Sequence, residues 1–115
     1  MSRIIIISAN TSAPGAEVVG PLRDAVAMGI TEAGRALVGE IPLVDVVLFE
    51  NDHHEVAARI RRPCRSLEAL ERPYRIYELA PEESWASMDA SLRELLEVTP
   101  SALEHILERL ASRPA

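Results

Sequence analysis

Four consecutive isoleucines, Ile4 to Ile7, follow a short polar start of the chain. β-Branched residues favour extended backbone, because their side chains pack well on a pleated surface and lose freedom in a helix. The side chains of a strand alternate between its two faces, so a run without a polar residue needs cover on both. The run therefore predicts a strand in a sheet that lies between helices.

The next elements are marked by helical spacing and by a second apolar run. Apolar residues recur at helical spacing from Pro21 to Ala33, and Gly34 is expected to end that helix. The segment from Val44 to Phe49 is apolar except for Asp45, which predicts a central strand.

The second half of the chain continues the alternation of helices and strands. A helix is expected to start at Asp52 and to end before Pro63, because proline disfavours helical backbone in the residue before it. Residues 72–80 predict a more polar strand, and two leucine stripes in residues 81–115 predict a C-terminal helical hairpin. Residues 1–115 are therefore expected to form a single α/β domain, with a small three- or four-stranded, mostly parallel sheet flanked by helices.

The composition limits the classes of function. The chain has twelve basic residues, all of them arginines, and 18 acidic ones, for a net charge of −6. Without lysine, a Schiff-base mechanism is excluded. The single cysteine, Cys64, excludes an internal disulfide and is expected to be a small apolar filler. No apolar run approaches the roughly 20 residues of a membrane-spanning helix. We therefore expect a cytoplasmic protein without a membrane segment and without a cofactor.

An acid and two adjacent histidines follow the predicted central strand. Asp52, His53, His54 and Glu55 are the candidate metal ligands. The sequence Asp-His-His resembles the signature of the DHH phosphoesterases, and the resemblance implies a manganese-dependent phosphodiester hydrolase. The same residues suit a helix start, with Asp52 as the N-cap and Glu55 at capping-box spacing. Consecutive helical residues point about 100° apart, which is poor geometry for one shared ion, so the helix start is the preferred interpretation.

Two other segments have alternative functional interpretations. The small-residue loop from Ser8 to Pro21 offers backbone N–H groups to a phosphate, but its spacing matches no nucleotide-binding motif and a plain surface loop is preferred. Residues 91–110 resemble the helix-turn-helix of bacterial repressors, which implies DNA binding. Their second helix carries Glu104 and Glu108 against only Arg109, and an acidic helix opposes binding to phosphates. Nucleic acid is therefore not the expected partner.

The preferred function is that of a small, non-catalytic protein-interaction or regulatory subunit that self-associates. The two leucine stripes give the C-terminal helices more apolar surface than one small sheet can cover. Apolar helix faces that stay uncovered are often buried between subunits. We therefore expect a homodimer formed by the C-terminal helices. Residues 59–80 carry six arginines against three acidic residues. Arginines make bidentate contacts with acidic groups and phosphates, so this basic segment is a candidate second partner surface, although solvated arginines or pairs with the chain's own acids are the preferred interpretation. The candidate partner-binding residues are Arg59, Arg61, Arg62, Arg65, Leu92, Leu95, Leu96, Leu103, Ile106, Leu107 and Leu110.

Overall fold

The computed structural model describes residues 2–9, 16–26, 29–39, 41–48 and 53–112. Their elements, in chain order, are β1 (Arg3–Ser8), α1 (Ala16–Val26), α2 (Ile30–Leu37), β2 (Val44–Val47), α3 (His53–Ala69), β3 (Tyr74–Leu79), a 3₁₀ turn (Trp85–Ser87), α4 (Ala90–Leu96), β4 (Glu97–Val98) and α5 (Pro100–Ser112). The four strands form one sheet in the order β2-β1-β3-β4, and every neighbouring pair is antiparallel. The fold is α/β, but the predicted mostly parallel sheet is wrong. Within these ranges, no helix combines the length and the apolar character needed to cross a membrane.

The direction of β2 follows from the number of helices before it. The helix predicted from Pro21 to Ala33 is in fact divided between two helices. α1 contains Pro21, and α2 contains both Ala33 and Gly34. A single helix between two strands carries the chain back to the starting end and gives parallel strands. A second helix reverses the chain once more. The hydroxyl of Ser8, at the end of β1, donates a hydrogen bond to the carbonyl oxygen of Leu37, at the end of α2, over 2.7 Å. β2 therefore starts beside the end of β1 and runs back along it.

Gly39 allows the chain to leave α2 close to β1. Its φ is +83°, and a Cβ at this position would lie 3.1 Å from the carbonyl oxygen of Ser8. Residues with a side chain rarely adopt this conformation, whereas glycine does so readily and often follows a helix end. Gly39, and not Gly34, therefore marks the end of this helical region.

β1 is an interior strand that is covered on both faces, as the isoleucine run predicts. Ile4 and Ile6 are fully buried in a cluster with residues of α1, α2, α3 and α5. Ile5 is fully buried on the opposite face, where it packs with Tyr77 and Met88. Among the described residues, the second face is covered by the segment that carries the 3₁₀ turn and α4, and not by a second layer of long helices.

β2 is an edge strand within the described part of the chain, which corrects the prediction of a central strand. It pairs with β1 alone among the described strands. Val44 and Val46 are buried, whereas Asp45 is exposed and forms an ion pair with Arg3, with 2.8 Å between Oδ1 and Nε. Phe49 lies outside the described residues. Val44 and Val46 therefore lie on the covered face of β2, and Asp45 lies on its exposed face.

α3 continues through Pro63, where the sequence predicts a helix end. A proline inside a helix removes one hydrogen bond and costs about 3 kcal/mol or more. Ile60 and Leu67, on either side of Pro63, are fully buried. Burial of such a side chain contributes about 1.5–3 kcal/mol. A continuous buried face on both sides of the proline therefore outweighs the lost hydrogen bond.

The predicted C-terminal helical hairpin is also wrong. β4 separates α4 from α5 and pairs with β3, so the chain adds an edge strand between the two helices. Leu96, at the end of α4, packs on the face that contains Ile5. Leu103 and Leu107, in α5, pack on the other face. The two leucine stripes therefore lie on opposite faces of the sheet.

We expect Met88→Ala to destabilise the protein by about 2–5 kcal/mol, because the Met88 side chain covers the second face of the sheet. This effect is expected even though Met88 lies outside any helix or strand. Urea denaturation followed by circular dichroism measures the change. Leu95→Ala, an exposed site on the adjacent helix, is the control, with an expected change within about 0.5 kcal/mol at low protein concentration. Equal effects of the two substitutions would contradict this assignment of the second face.

Candidate functional site

The predicted metal cluster lies at the start of α3. The helix begins at His53. Asp52 and the imidazoles of His53 and His54 lie outside the described part of the structure. Glu55, in the first turn, is exposed. Among the described side chains, no three of His, Cys, Asp or Glu come together as a metal site. Because three of the four predicted ligands lie outside that set, the metal site stays a prediction. Residues 10–15 of the candidate phosphate loop lie outside it as well, and the rest of that loop, from Ala16 to Pro21, belongs to helix α1.

Four of the seven predicted partner-binding residues of the C-terminal helices pack within the protein. Leu103 and Leu107 are buried between α5 and the sheet, and Ile106 packs half-buried beside them. Leu96 is half-buried against the opposite face. The side chain of Leu110 lies outside the described residues. These packed positions stabilise the monomer and leave little of their surface for a partner.

Leu92 and Leu95 are the exposed large hydrophobic residues of the described chain, with exposed fractions of 40% and 82%. They stand three residues apart in α4, so their side chains share one side of the helix. No residue of α4 is buried. We call Leu92 and Leu95 the α4 leucine pair; an apolar pair on a helix that buries so little is a candidate contact surface.

Polar contacts hold α4 in position on the sheet. The carboxylate of Asp89 caps the helix by accepting a hydrogen bond from the Leu92 N–H over 2.8 Å. Arg93 donates to the carbonyl oxygen of Trp85 over 2.6 Å, and its guanidinium carbon lies 3.8 Å from the centroid of the Trp85 ring. That ring packs on Tyr77, with 4.7 Å between centroids. A helix of this length is not stable alone, so these contacts determine where the α4 leucine pair is presented.

The four predicted partner-binding arginines of α3 fall into two environments. Arg61 is part of the protein's own structure, since its Nε and Nη2 donate to the two carboxylate oxygens of Glu104 in α5, each over 3.1 Å. Arg59, Arg62 and Arg65 are exposed, and none forms an ion pair within the described part of the chain. They recur at every third position and form a row on the solvent side of the helix. We call them the α3 arginine row.

A cleft of about 210 Å³ lies between α3 and α5 beside this row. Its wall includes Cys64, Glu68 and Tyr74. The Tyr74 hydroxyl donates to the Glu68 carboxylate over 2.6 Å. Burial raises the pKa of the Cys64 thiol to about 11, and burial followed by the hydrogen bond to Glu68 raises the pKa of Tyr74. Both groups stay protonated at neutral pH, so Cys64 is a packed thiol and not a thiolate nucleophile.

Sequence reasoning missed this cleft. Cys64 and Glu68 stand four residues apart, and that spacing places them on one side of α3. Tyr74 could not be placed with them, because the turn from α3 to β3 passes through Glu71, whose φ is +55°, an uncommon value for a residue other than glycine. The local sequence contains no glycine that would signal such a turn.

We expect Cys64 to react at least about a hundredfold more slowly with a disulfide reagent in the folded protein than in concentrated urea at mildly alkaline pH. A rise of the pKa from 9.0 to about 11 lowers the thiolate fraction by about that factor. Absorbance of the released reagent measures both rates. Equal rates in the two states would contradict the burial of the thiol.

The same pKa predicts how stability depends on alkaline pH. Between pH 9.0 and about pH 11, the Cys64 thiol of the unfolded chain loses its proton while that of the folded chain keeps it. The stabilisation is therefore complete below the lower value and is lost as the pH rises toward the upper one. We expect Cys64→Ala to flatten this part of the curve of unfolding free energy against pH, measured by urea denaturation. An unchanged slope in the variant would show that another group causes the loss.

Comparisons with known protein families, with curated proteins and with solved structures found no match for the chain. The functional hypotheses therefore depend on the surfaces that the fold presents, which are the α4 leucine pair, the α3 arginine row and the cleft beside it.

Proposed function

We propose that the chain is a non-catalytic interaction or regulatory subunit that forms a homodimer through the α4 leucine pair. The observation that carries the proposal is the 82% exposure of Leu95 on a helix that has no buried residue. Leu103 and Leu107 are removed from the predicted interface because they are buried in the core. The proposed location is the cytoplasm, in keeping with a single cysteine that is buried as a free thiol.

A second copy of the chain suits this surface. In an antiparallel contact of α4 with its counterpart, each Leu95 meets apolar surface of the other copy, which is the self-complementary arrangement of a two-fold dimer. The rim is also self-complementary. Arg75 and Glu97 lie on the same face as α4, with side-chain exposures of 56% and 42%, and their charges are 3.9 Å apart. A two-fold contact can therefore pair unlike charges around the leucines.

The size of the patch predicts weak, reversible association. Full burial of one leucine contributes about 1.5–3 kcal/mol, so two from each copy supply about 6–12 kcal/mol at most. Association costs at least about 4 kcal/mol in lost freedom, so the net gain is at most about 8 kcal/mol, which limits the Kd to about 1 µM or weaker. Interfaces of this small size are typical of transient complexes, so we expect a Kd on the order of 10–100 µM. Such a dimer responds to protein concentration, which suits a regulatory subunit.

We expect Leu95→Ser to weaken dimerisation at least about tenfold, because it removes the most exposed apolar contact. Sedimentation equilibrium over a range from about 1 to 300 µM, which brackets that Kd, measures the change. Glu94→Ser, which introduces the same residue into the same helix at a polar position, is the matched control and should change the Kd less than about threefold.

Two results would reject the dimer. One is a monomeric wild-type protein throughout the concentration range. The other is an equal effect of Leu95→Ser and Glu94→Ser, which would show that the helix was weakened and that the leucine contact was not responsible. Circular dichroism of each variant reports whether α4 and the remaining helices keep their content.

A further inference from the structure

The α3 arginine row is unusual because the chain has more acidic than basic residues, yet the row has no acidic partner among the described residues. Eighteen acidic residues are available for twelve arginines. Arginines elsewhere use them: Arg3 pairs with Asp45, Arg61 with Glu104 and Arg75 with Glu97. Arg59, Arg62 and Arg65 make no such pair within the described part of the chain, although all three are on one side of one helix. The row is therefore a local concentration of positive charge on an acidic protein.

The backbone under the row is held rigidly. Ile60 and Leu67, on the other side of α3, are fully buried, so the helix cannot rotate without exposing core residues. Arg59 and Arg65 stand six positions apart, which is about 9 Å of helix rise. Same-side residues of an extended peptide repeat every 7 Å or so. Two or three carboxylates within about five residues of an extended segment therefore match the length of the row.

We propose that the α3 arginine row binds an acidic peptide segment of a partner protein through bidentate contacts between guanidinium groups and carboxylates. Arginine presents a planar fork of donors that fits a carboxylate. Arg65 also forms part of the wall of the α3–α5 cleft, whose other walls include Pro100 and Leu103. The cleft gives an adjacent small apolar side chain of the segment a place beside the charged row.

The charges around the row favour an acidic peptide over a nucleic acid. Glu55 precedes the row, Glu68 follows it, and Glu104 lies across the cleft. A duplex carries one negative charge for about every 1.7 Å and would meet these carboxylates together with a net charge of −6. A short segment can place its few carboxylates on the arginines alone. The site is independent of the proposed dimer, because α3 and α4 lie on opposite faces of the sheet.

The test uses a fluorescein-labelled peptide of alternating Glu and Ser and a control peptide of alternating Gln and Ser, with binding measured by fluorescence anisotropy at low salt. We expect the acidic peptide to bind and the control peptide not to bind. The triple variant Arg59→Gln, Arg62→Gln, Arg65→Gln should weaken binding at least about tenfold. The triple variant Arg23→Gln, Arg35→Gln, Arg109→Gln changes the net charge equally at exposed positions outside the α3 arginine row and the proposed dimer contact, and it should weaken binding less than about threefold.

Three results would overturn the proposal: no binding of the acidic peptide at low salt, equal losses in the two triple variants, or tighter binding of a labelled DNA duplex than of the peptide. The second result would assign the binding to overall charge, and the third to a nucleic-acid site. Urea denaturation of both triple variants separates a loss of binding from a loss of folding.

Discussion

The burial of β1 on both faces is the constraint on which the rest of the structure depends. Ile4 and Ile6 need cover on one side and Ile5 on the other, and leaving any of them exposed would forfeit about 1.5–3 kcal/mol. The helices α1, α2, α3 and α5 supply the first cover. The second comes from a thinner segment that includes Met88 and Trp85. Because this segment covers the face with few residues, α4 lies at the surface of the molecule.

The short strand β4 decides which leucines are available for contact with other molecules. By adding an edge strand between α4 and α5, it sends the two helices to opposite faces. Leu103 and Leu107 then fill the main core, while Leu92 and Leu95 remain outside. The α4 leucine pair and the α3 arginine row consequently lie on different sides of the sheet. A dimer formed by the first would present two copies of the second, and two linked sites bind a bivalent partner more tightly than either alone.

The candidate surfaces could be predicted only in part. Residue type identified the arginines of α3 and the leucines of the C-terminal helices as the notable groups, because charge and helical spacing can be read locally. The sequence does not show which of them are already used inside the protein. Arg61 pairs with Glu104, 43 positions further along the chain, and Leu107 is buried in the core. Arg62 and Leu95, by contrast, are exposed. Only long-range contacts separate these pairs of similar residues.

The sequence by itself determined the β-structure of the isoleucine run and its need for cover on two faces, the strand in residues 72–80 and the helix that follows Asp52, because these features depend on residue type and local spacing. Tertiary structure decided the direction of the strands and the ends of the helices. Gly34 and Pro63 are local signals for helix ends, but each lies inside a helix. Burial of the apolar face on both sides of each residue offsets the local cost: Ala33 and Leu37 are buried around Gly34, and Ile60 and Leu67 around Pro63. The sequence alone does not reveal which apolar face will be buried.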